Sequence, residues 1–442
     1  MIMLNDIKKQ RLSKKEYDEN FDEIHPPLNE HEAYVEGDRC YYCYDAPCIE
    51  ACPTGINIPL FIRQITSKNP EGAAKTIFDE NILGGMSARV CPTETLCEEA
   101  CVRNTGQDRP VKIGLLQRYA TDSLMNRSNH PYKRSEDNGK KVAIVGGGPA
   151  GLSCAHRLSM KGYSVTIFDS KSKLGGLNEY GIAAYKSLDN FAEREAKFVL
   201  SLGGIDYKLN TTIGKDLSID QLKKDFDAVF LGMGLTGVNS LLVDGEDDNG
   251  IDDAVRYIED IRQAKDLGEL PVGRKVIVIG GGMTAIDMAV QIKKLGSEDV
   301  TIVYRRGKKE MSASLVEQQN AQNNGVLIKH WSKPVRLITN DNSVCGVEFE
   351  YTSVKDGKLV GTGEKYKIDS DMVFRAIGQT FEDDADGLPP LGSGRISVDE
   401  NYKTSISGIW AGGDCVNEGE DLTVTAVEAG KKAAESIHME LS

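Results

Sequence analysis

KVAIVGGGPAGLSCAHRLSMKGYSVTIFD, residues 141–169, decides the fold. A run of β-branched and apolar residues, Lys141–Val145, reads as a buried strand. It breaks into Gly146-Gly147-Gly148-Pro149-Ala150-Gly151, continues as a helix, and returns to an apolar strand that closes on Asp169. In a G-x-G-x-x-G turn the first glycine permits the tight turn and the second lets the backbone reach a pyrophosphate. The third lets helix and strand pack closely. The helix N-terminus then offers unpaired N–H groups and the positive end of its dipole to the phosphates, and the acid accepts a ribose hydroxyl.

The same order returns in KVIVIGGGMTAIDMAVQIKKLGSEDVTIVYRR, residues 275–306. Here Gly280 and Gly282 hold the first two glycine positions, Met283 and Thr284 follow, and Ala285 replaces the third glycine. Where the first unit ends in Asp169, this one ends in Tyr304-Arg305-Arg306. An acid at that point suits the 2′-hydroxyl of NAD, whereas paired arginines suit a 2′-phosphate, so this reading leans to NADPH. Two nucleotide-binding units form the internal repeat that organises the chain after residue 140. Near the C-terminus, Gly412-Gly413-Asp414 at a strand end resembles the second flavin fingerprint of FAD enzymes of the disulfide-reductase type, in which the acid bonds the ribityl chain. The Ala-rich run Thr423–His438 reads as a final helix.

Upstream, seven of the ten cysteines fall between Cys40 and Cys101. In a reducing compartment such clustering indicates metal ligands rather than disulfides. The spacing is Cys40-x2-Cys43-x4-Cys48-x3-Cys52-Pro53, then Cys91-x5-Cys97-x3-Cys101. In ferredoxin-type runs the cysteine before proline joins the other cluster, so Cys40, Cys43 and Cys48 begin one cubane and Cys52 a second. Seven thiolates cannot fill two four-iron clusters, so an eighth, non-cysteine ligand or an open iron is required. Zinc is the alternative, because C-x2-C is also a zinc spacing. Cys154, Cys345 and Cys415 read as structural.

Composition narrows the function. The chain has 442 residues, enough for about three domains of 100–200 residues, with 40% hydrophobic residues and 45 glycines. A net charge of −14 argues against a nucleic-acid binder. The charged opening stretch has no apolar core of a signal peptide, and no apolar run of about 18 residues is present to span a bilayer. A cytoplasmic protein is expected. Asn126–Lys140 is polar, with proline and glycine, and reads as a linker.

Three stretches, CYYCYDAPCIEACPTGINIPLFIRQI (40–65), RVCPTETLCEEACV (89–102) and PVKIGLLQRYA (110–120), resemble the N-terminal part of dihydropyrimidine dehydrogenase. From about residue 35 to 440 the chain resembles the separate small subunit of the bacterial NAD(P)-dependent enzyme, and more distantly the glutamate synthase small subunit. The resemblance implies an α/β architecture: a helical iron–sulfur domain (1–138), an FAD domain in two parts (139–238 and 381–442) and an NAD(P) domain (239–380). It implies two 4Fe–4S clusters, one on Cys40, Cys43, Cys48 and Cys101, the other on Cys52, Cys91, Cys97 and Gln117. It places FAD on Gly146–Ala150, on Asp169 through Gly175, Gly176 and Leu177, and on Lys186, Asp414 and Thr423. NAD(P)H falls on Gly282–Ala285, Arg305, Arg306, Ala376, Ile377 and Gly378. Lys186 and Ser312 depart from the animal enzyme, which has arginine and a third basic residue there, and bacterial relatives are NAD-dependent.

The expected function is electron input. NAD(P)H is oxidised, and single electrons pass through the clusters to a catalytic FMN-barrel subunit that reduces uracil or thymine. A glutamate synthase large subunit or a ferredoxin-linked acceptor is the alternative partner. A stand-alone diaphorase and a zinc-stapled regulatory flavoprotein are the other readings. No general acid or base is assigned.

Overall fold

The computed structural model describes residues 6–126, 130–246, 250–341, 343–382 and 385–442. Residues 127–129 of the expected linker lie outside that range. The chain divides into two compact units, one built from residues up to Ile24, Tyr180–Tyr185 and Gly237–Thr380, the other from His25–Glu179, Lys186–Thr236 and Phe381–Ser442.

The larger unit carries a parallel five-stranded sheet. Its spatial order is Ile409–Ala411, Ala228–Leu231, Lys141–Val145, Ser164–Phe168, Ile205–Lys208. Val142 to Val145 are buried, as the apolar run requires of a central strand covered on both faces. The chain returns from residue 381 to add the edge strand Ile409–Ala411 and the 19-residue helix Thr423–Leu441. That helix lies tightly on Pro149–Met160: a Cβ on Gly430 would stand 2.1 Å from the Ala150 carbonyl oxygen.

In the same unit, the cysteine-bearing block is helical. Ile58–Thr66 starts on Asn57, whose side chain accepts from Leu60 N–H, and buries Ile58, Phe61, Ile62 and Ile65 at helical spacing. Pro70–Glu80 and Ile113–Met125 bury Ala73, Ala74, Ile77, Leu116 and Ala120 in one continuous core with the first Rossmann sheet.

The smaller unit repeats the plan. Its parallel sheet runs Ile251–Asp253, Met372–Ala376, Lys275–Gly280, Asp299–Val303, Leu327–Lys329. An antiparallel sheet of Ser332–Asn340, Ser343–Lys355 and Lys358–Asp369 is inserted before Met372. The opening residues differ from expectation. They do not belong with the cysteine block: Tyr17 and Phe21, on and just after the helix Lys14–Asn20, are buried with Tyr257, Ile258 and Leu295 of the smaller unit. Lys8 N–H also donates to the Val272 carbonyl, 3.0 Å away. Among the described residues no helix is long and apolar enough to cross a membrane.

Candidate functional site

The first glycine turn is closed tightly on its own backbone. Gly146 sits at φ +97°, and a Cβ there would lie 2.2 Å from the Gly232 carbonyl oxygen. A Cβ on Gly151 would lie 1.9 Å from the Gly146 carbonyl oxygen, so helix and turn close only on glycine. Gly148 precedes Pro149–Met160 with no side-chain cap, which leaves the first N–H groups of the helix available to a ligand.

Asp169 is buried. Its two carboxylate oxygens accept from Gly147 N–H and Lys171 N–H, both at 2.7 Å. Burial raises its pKa against those two bonds, and Lys171 works with the bonds. Gly175 N–H donates to the Gly147 carbonyl at 2.8 Å, and the Gly175-Gly176 turn leads into the short helix starting at Leu177. Thr423, the first residue of the C-terminal helix, donates through Oγ1 to Asn178 Oδ1 at 2.7 Å. A Cβ on Gly413 would lie 3.0 Å from Ala150 Cβ. Beside it, burial and then Asp421 push Asp414 up to about 6, with Arg395 opposing. The structure thus brings Gly146–Gly151, Asp169, Gly175–Leu177, Gly413, Asp414 and Thr423 together around one helix end. Lys186 is partly buried in the turn Ala184–Lys186.

The second turn is built alike. A Cβ on Gly280 would lie 2.1 Å from the Ala376 carbonyl oxygen, and Gly280 pairs with Ala376 in the sheet. Gly282 opens the helix Met283–Lys294, also without a side-chain cap. Ala285 is fully buried, and Ser312 Oγ lies 3.3 Å from where a Gly282 Cβ would be. Asn239 Nδ2 donates to the carbonyls of Ile377 and Gly378, fixing the strand exit beside the turn. Arg305 and Arg306 are exposed, and among the described residues neither guanidinium has an ion-pair partner. Their backbone carbonyls are held by Thr352 Oγ1 and Trp331 N–H.

All ten cysteines are free. Cys40, Cys43, Cys48 and Cys101 line one cavity, closed by Ile58, Ile62 and Val111, so residues 61 positions apart in the chain share one lining. Among the described residues no three His, Cys, Asp or Glu side chains stand close enough to share a single ion. Burial, and then the neighbouring thiols, push Cys48 up to about 12. Cys91 and Cys97 are raised by burial and lie within electrostatic reach of Cys52.

Gln117, 8% exposed, donates from Nε2 to the Gly84 carbonyl at 2.7 Å. That bond ties it to the helix Gly84–Val90, whose C-cap is Cys91, and uses the amide's donor rather than its carbonyl oxygen. Sequence reasoning missed what holds this helix. Glu195, fully buried on the helix Phe191–Leu200, accepts from Met86 N–H at 2.9 Å. Arg89 is paired with both oxygens of Asp122, at 2.9 and 2.8 Å, and its guanidinium lies 3.4 Å from the centre of the Phe191 ring. An isolated glutamate in FAEREAKFVL carries no sign of this role.

The description pyridine nucleotide-disulphide oxidoreductase matches residues 140–430. The chain belongs to this family. Residues 17–129 of this oxidoreductase match the description dihydropyrimidine dehydrogenase domain II, 4Fe-4S cluster, which displaces the zinc reading. The oxidoreductase is 35% identical over 418 residues to the NAD-dependent dihydropyrimidine dehydrogenase subunit PreT of Escherichia coli K12, covering 94% of this chain and 96% of that one. It is 33% identical to the glutamate synthase [NADPH] small chain of the same organism, covering 94% and 93%.

Two solved structures share the fold. FprA of Mycobacterium tuberculosis in complex with NADPH has a TM-score of 0.58 at 17% identity, over 68% of this chain and 84% of that one. Thioredoxin reductase of T. acidophilum has 0.53 at 23%, over 68% and 99%. Family membership sets the activity class: this is an FAD-dependent NAD(P)H oxidoreductase with a 4Fe–4S electron-transfer block.

Proposed function

We propose that this oxidoreductase is the electron-input subunit of a pyrimidine-reducing enzyme, carrying FAD, two 4Fe–4S clusters and a site for NAD(P)H. The observation that carries the proposal is the convergence of Cys40, Cys43, Cys48 and Cys101 on one cavity, in the same compact unit as the Gly146–Gly151 turn. Bound there, a flavin supplies conversion between hydride and single-electron chemistry, and the clusters supply a one-electron outlet. The chain's own residues bind and orient. Gly146–Gly151 and the uncapped helix end receive the FAD pyrophosphate, Asp169 a ribose, and Asp414 and Thr423 the flavin side, with Lys186 as a further contact. Gly280–Ala285 receive the NAD(P)H pyrophosphate, Arg305 and Arg306 its adenosine ribose, and Ala376–Gly378 line the strand exit. Cys52, Cys91, Cys97 and Gln117 hold the second cluster.

The substrate reading rests on the PreT relatives, which are named as subunits and are covered over 96% of their length. The partner is a catalytic FMN-barrel subunit that reduces uracil or thymine.

Electron paramagnetic resonance of the anaerobic chain, reduced with NADPH or NADH, tests the cluster assignment. Two 4Fe–4S signals are expected, and Gln117→Ala should remove one and halve the iron content while flavin stays. A single signal in the wild-type chain, unaltered in Q117A, would contradict the two-cluster assignment.

A further inference from the structure

Going outward from its centre, the second sheet runs Lys275–Gly280, Asp299–Val303, Leu327–Lys329, all parallel. Ligands of such sheets lie beyond the carboxyl ends of the strands. Three consecutive ends therefore matter: the Gly280–Gly282 turn, then Arg305-Arg306, then His330-Trp331. A dinucleotide with its pyrophosphate on the first and its adenosine ribose on the second extends its base toward the third.

Trp331 occupies that third end in an unusual state. Its φ is +56°, the left-handed region that a bulky aromatic residue rarely adopts, and backbone outliers of this kind concentrate at ligand sites. Two hydrogen bonds hold it. Trp331 N–H donates to the Arg306 carbonyl at 3.0 Å, and Thr352 N–H donates to the Trp331 carbonyl at 2.9 Å. Thr352 also donates from Oγ1 to the Arg305 carbonyl at 2.7 Å, so the tryptophan and both arginines share one backbone clamp. The indole lies on Gly307, where a Cβ would stand 2.8 Å from Trp331 Cζ2. The residue after the arginine pair thus has no side chain to compete for the ring, and Trp331 as a residue remains partly exposed.

We propose that Trp331 is the stacking platform for the adenine ring of the dinucleotide, a contact that rests on the nucleotide reading of the Gly280–Ala285 turn. Stacking recognises the base whatever the ribose carries. Trp331 therefore contributes equally to NADH and NADPH, and discrimination falls to Arg305 and Arg306.

The test is calorimetric titration of the oxidised holoprotein with NADP+, NAD+, 2′,5′-ADP and nicotinamide mononucleotide. Aromatic–base stacking is worth about 1–3 kcal/mol on truncation, so Trp331→Ala should weaken the three adenine-containing ligands roughly tenfold or more. Nicotinamide mononucleotide should be unaffected, and Trp331→Phe should retain most of the affinity. Arg305→Ala with Arg306→Ala should weaken only the 2′-phosphorylated ligands. Dinucleotide affinity unchanged in W331A, or an equal loss for nicotinamide mononucleotide, overturns the stacking role. Failure of the wild-type protein to bind either dinucleotide overturns instead the nucleotide reading beneath it. Should W331A not fold, tryptophan emission decides. The other tryptophan, Trp410, is fully buried in the other unit, so 2′,5′-ADP should quench emission in the wild type and not in W331F. No quenching in the wild type overturns the proposal.

Discussion

At Gly151 a side chain has no space: its Cβ would meet the Gly146 carbonyl oxygen at 1.9 Å, and backbone on both sides must move to admit it. Gly151→Ala is therefore expected to yield folded protein with most of its flavin lost, read as the flavin-to-protein ratio after gel filtration. Full flavin content in that variant would contradict the role given to the turn. The second repeat tolerates Ala285 at the matching place, fully buried, so the requirement belongs to the first turn's closeness rather than to the motif. Residues of this kind were legible in the sequence because their chemistry depends on local spacing. The glycines announce themselves by position, and the cysteines by their short intervals. Gln117 does not, since a glutamine on an amphipathic helix has no spacing signal, and only the family resemblance singled it out. Trp331 and Glu195 were illegible for a different reason. Their roles arise from backbone conformation and from burial against residues distant in the chain.

At the scale of elements, the helix Gly84–Val90 joins the cysteine block to the first Rossmann fold. Its N-terminal N–H at Met86 is received by Glu195, and its C-cap is Cys91. Burial pushes Glu195 up to about 8, against the Met86 N–H bond and the nearby Arg89. Because the folded pKa lies above the unfolded one, the native state holds the proton longer. Stability contributed by the protonated form is present at low pH and is lost as pH rises through the folded value. Between pH 6 and 8 the wild type should lose up to about 1.4 kcal/mol of unfolding free energy per pH unit relative to Glu195→Gln, which keeps the acceptor and does not titrate. Parallel stability profiles for the two proteins would show that Glu195 is ionised throughout. The long helices and both strand–turn–helix repeats were readable from apolar periodicity. In the antiparallel sheet of Ser332–Asp369 the run around Cys345 was strand-like, but Lys358–Asp369 was not: it is largely exposed and alternates polar residues with few apolar ones, so no buried face marked it as a strand.

At the scale of the molecule, both units place two strands on either side of the central strand, and both leave a glycine turn at that strand's carboxyl end. The flavin unit is discontinuous, since the segment after Phe381 returns to supply its edge strand and long helix. That return was foreseeable from Gly412-Gly413-Asp414 and the Ala-rich run. The attachment of the opening residues to the smaller unit was not, because Tyr17 and Phe21 are two apolar residues in a charged stretch and their partners lie more than 200 residues away. The architecture supplies two dinucleotide turns and a gathered set of thiols, and the account built on it assigns the outlet to a second subunit. The most direct test is anaerobic, uracil-dependent oxidation of NADH and of NADPH by the purified holoprotein, with and without the candidate FMN-barrel subunit. The account predicts oxidation coupled to uracil only when both are present, with dye reduction by this chain alone. Dye reduction without any uracil coupling, when both subunits are present, would contradict it.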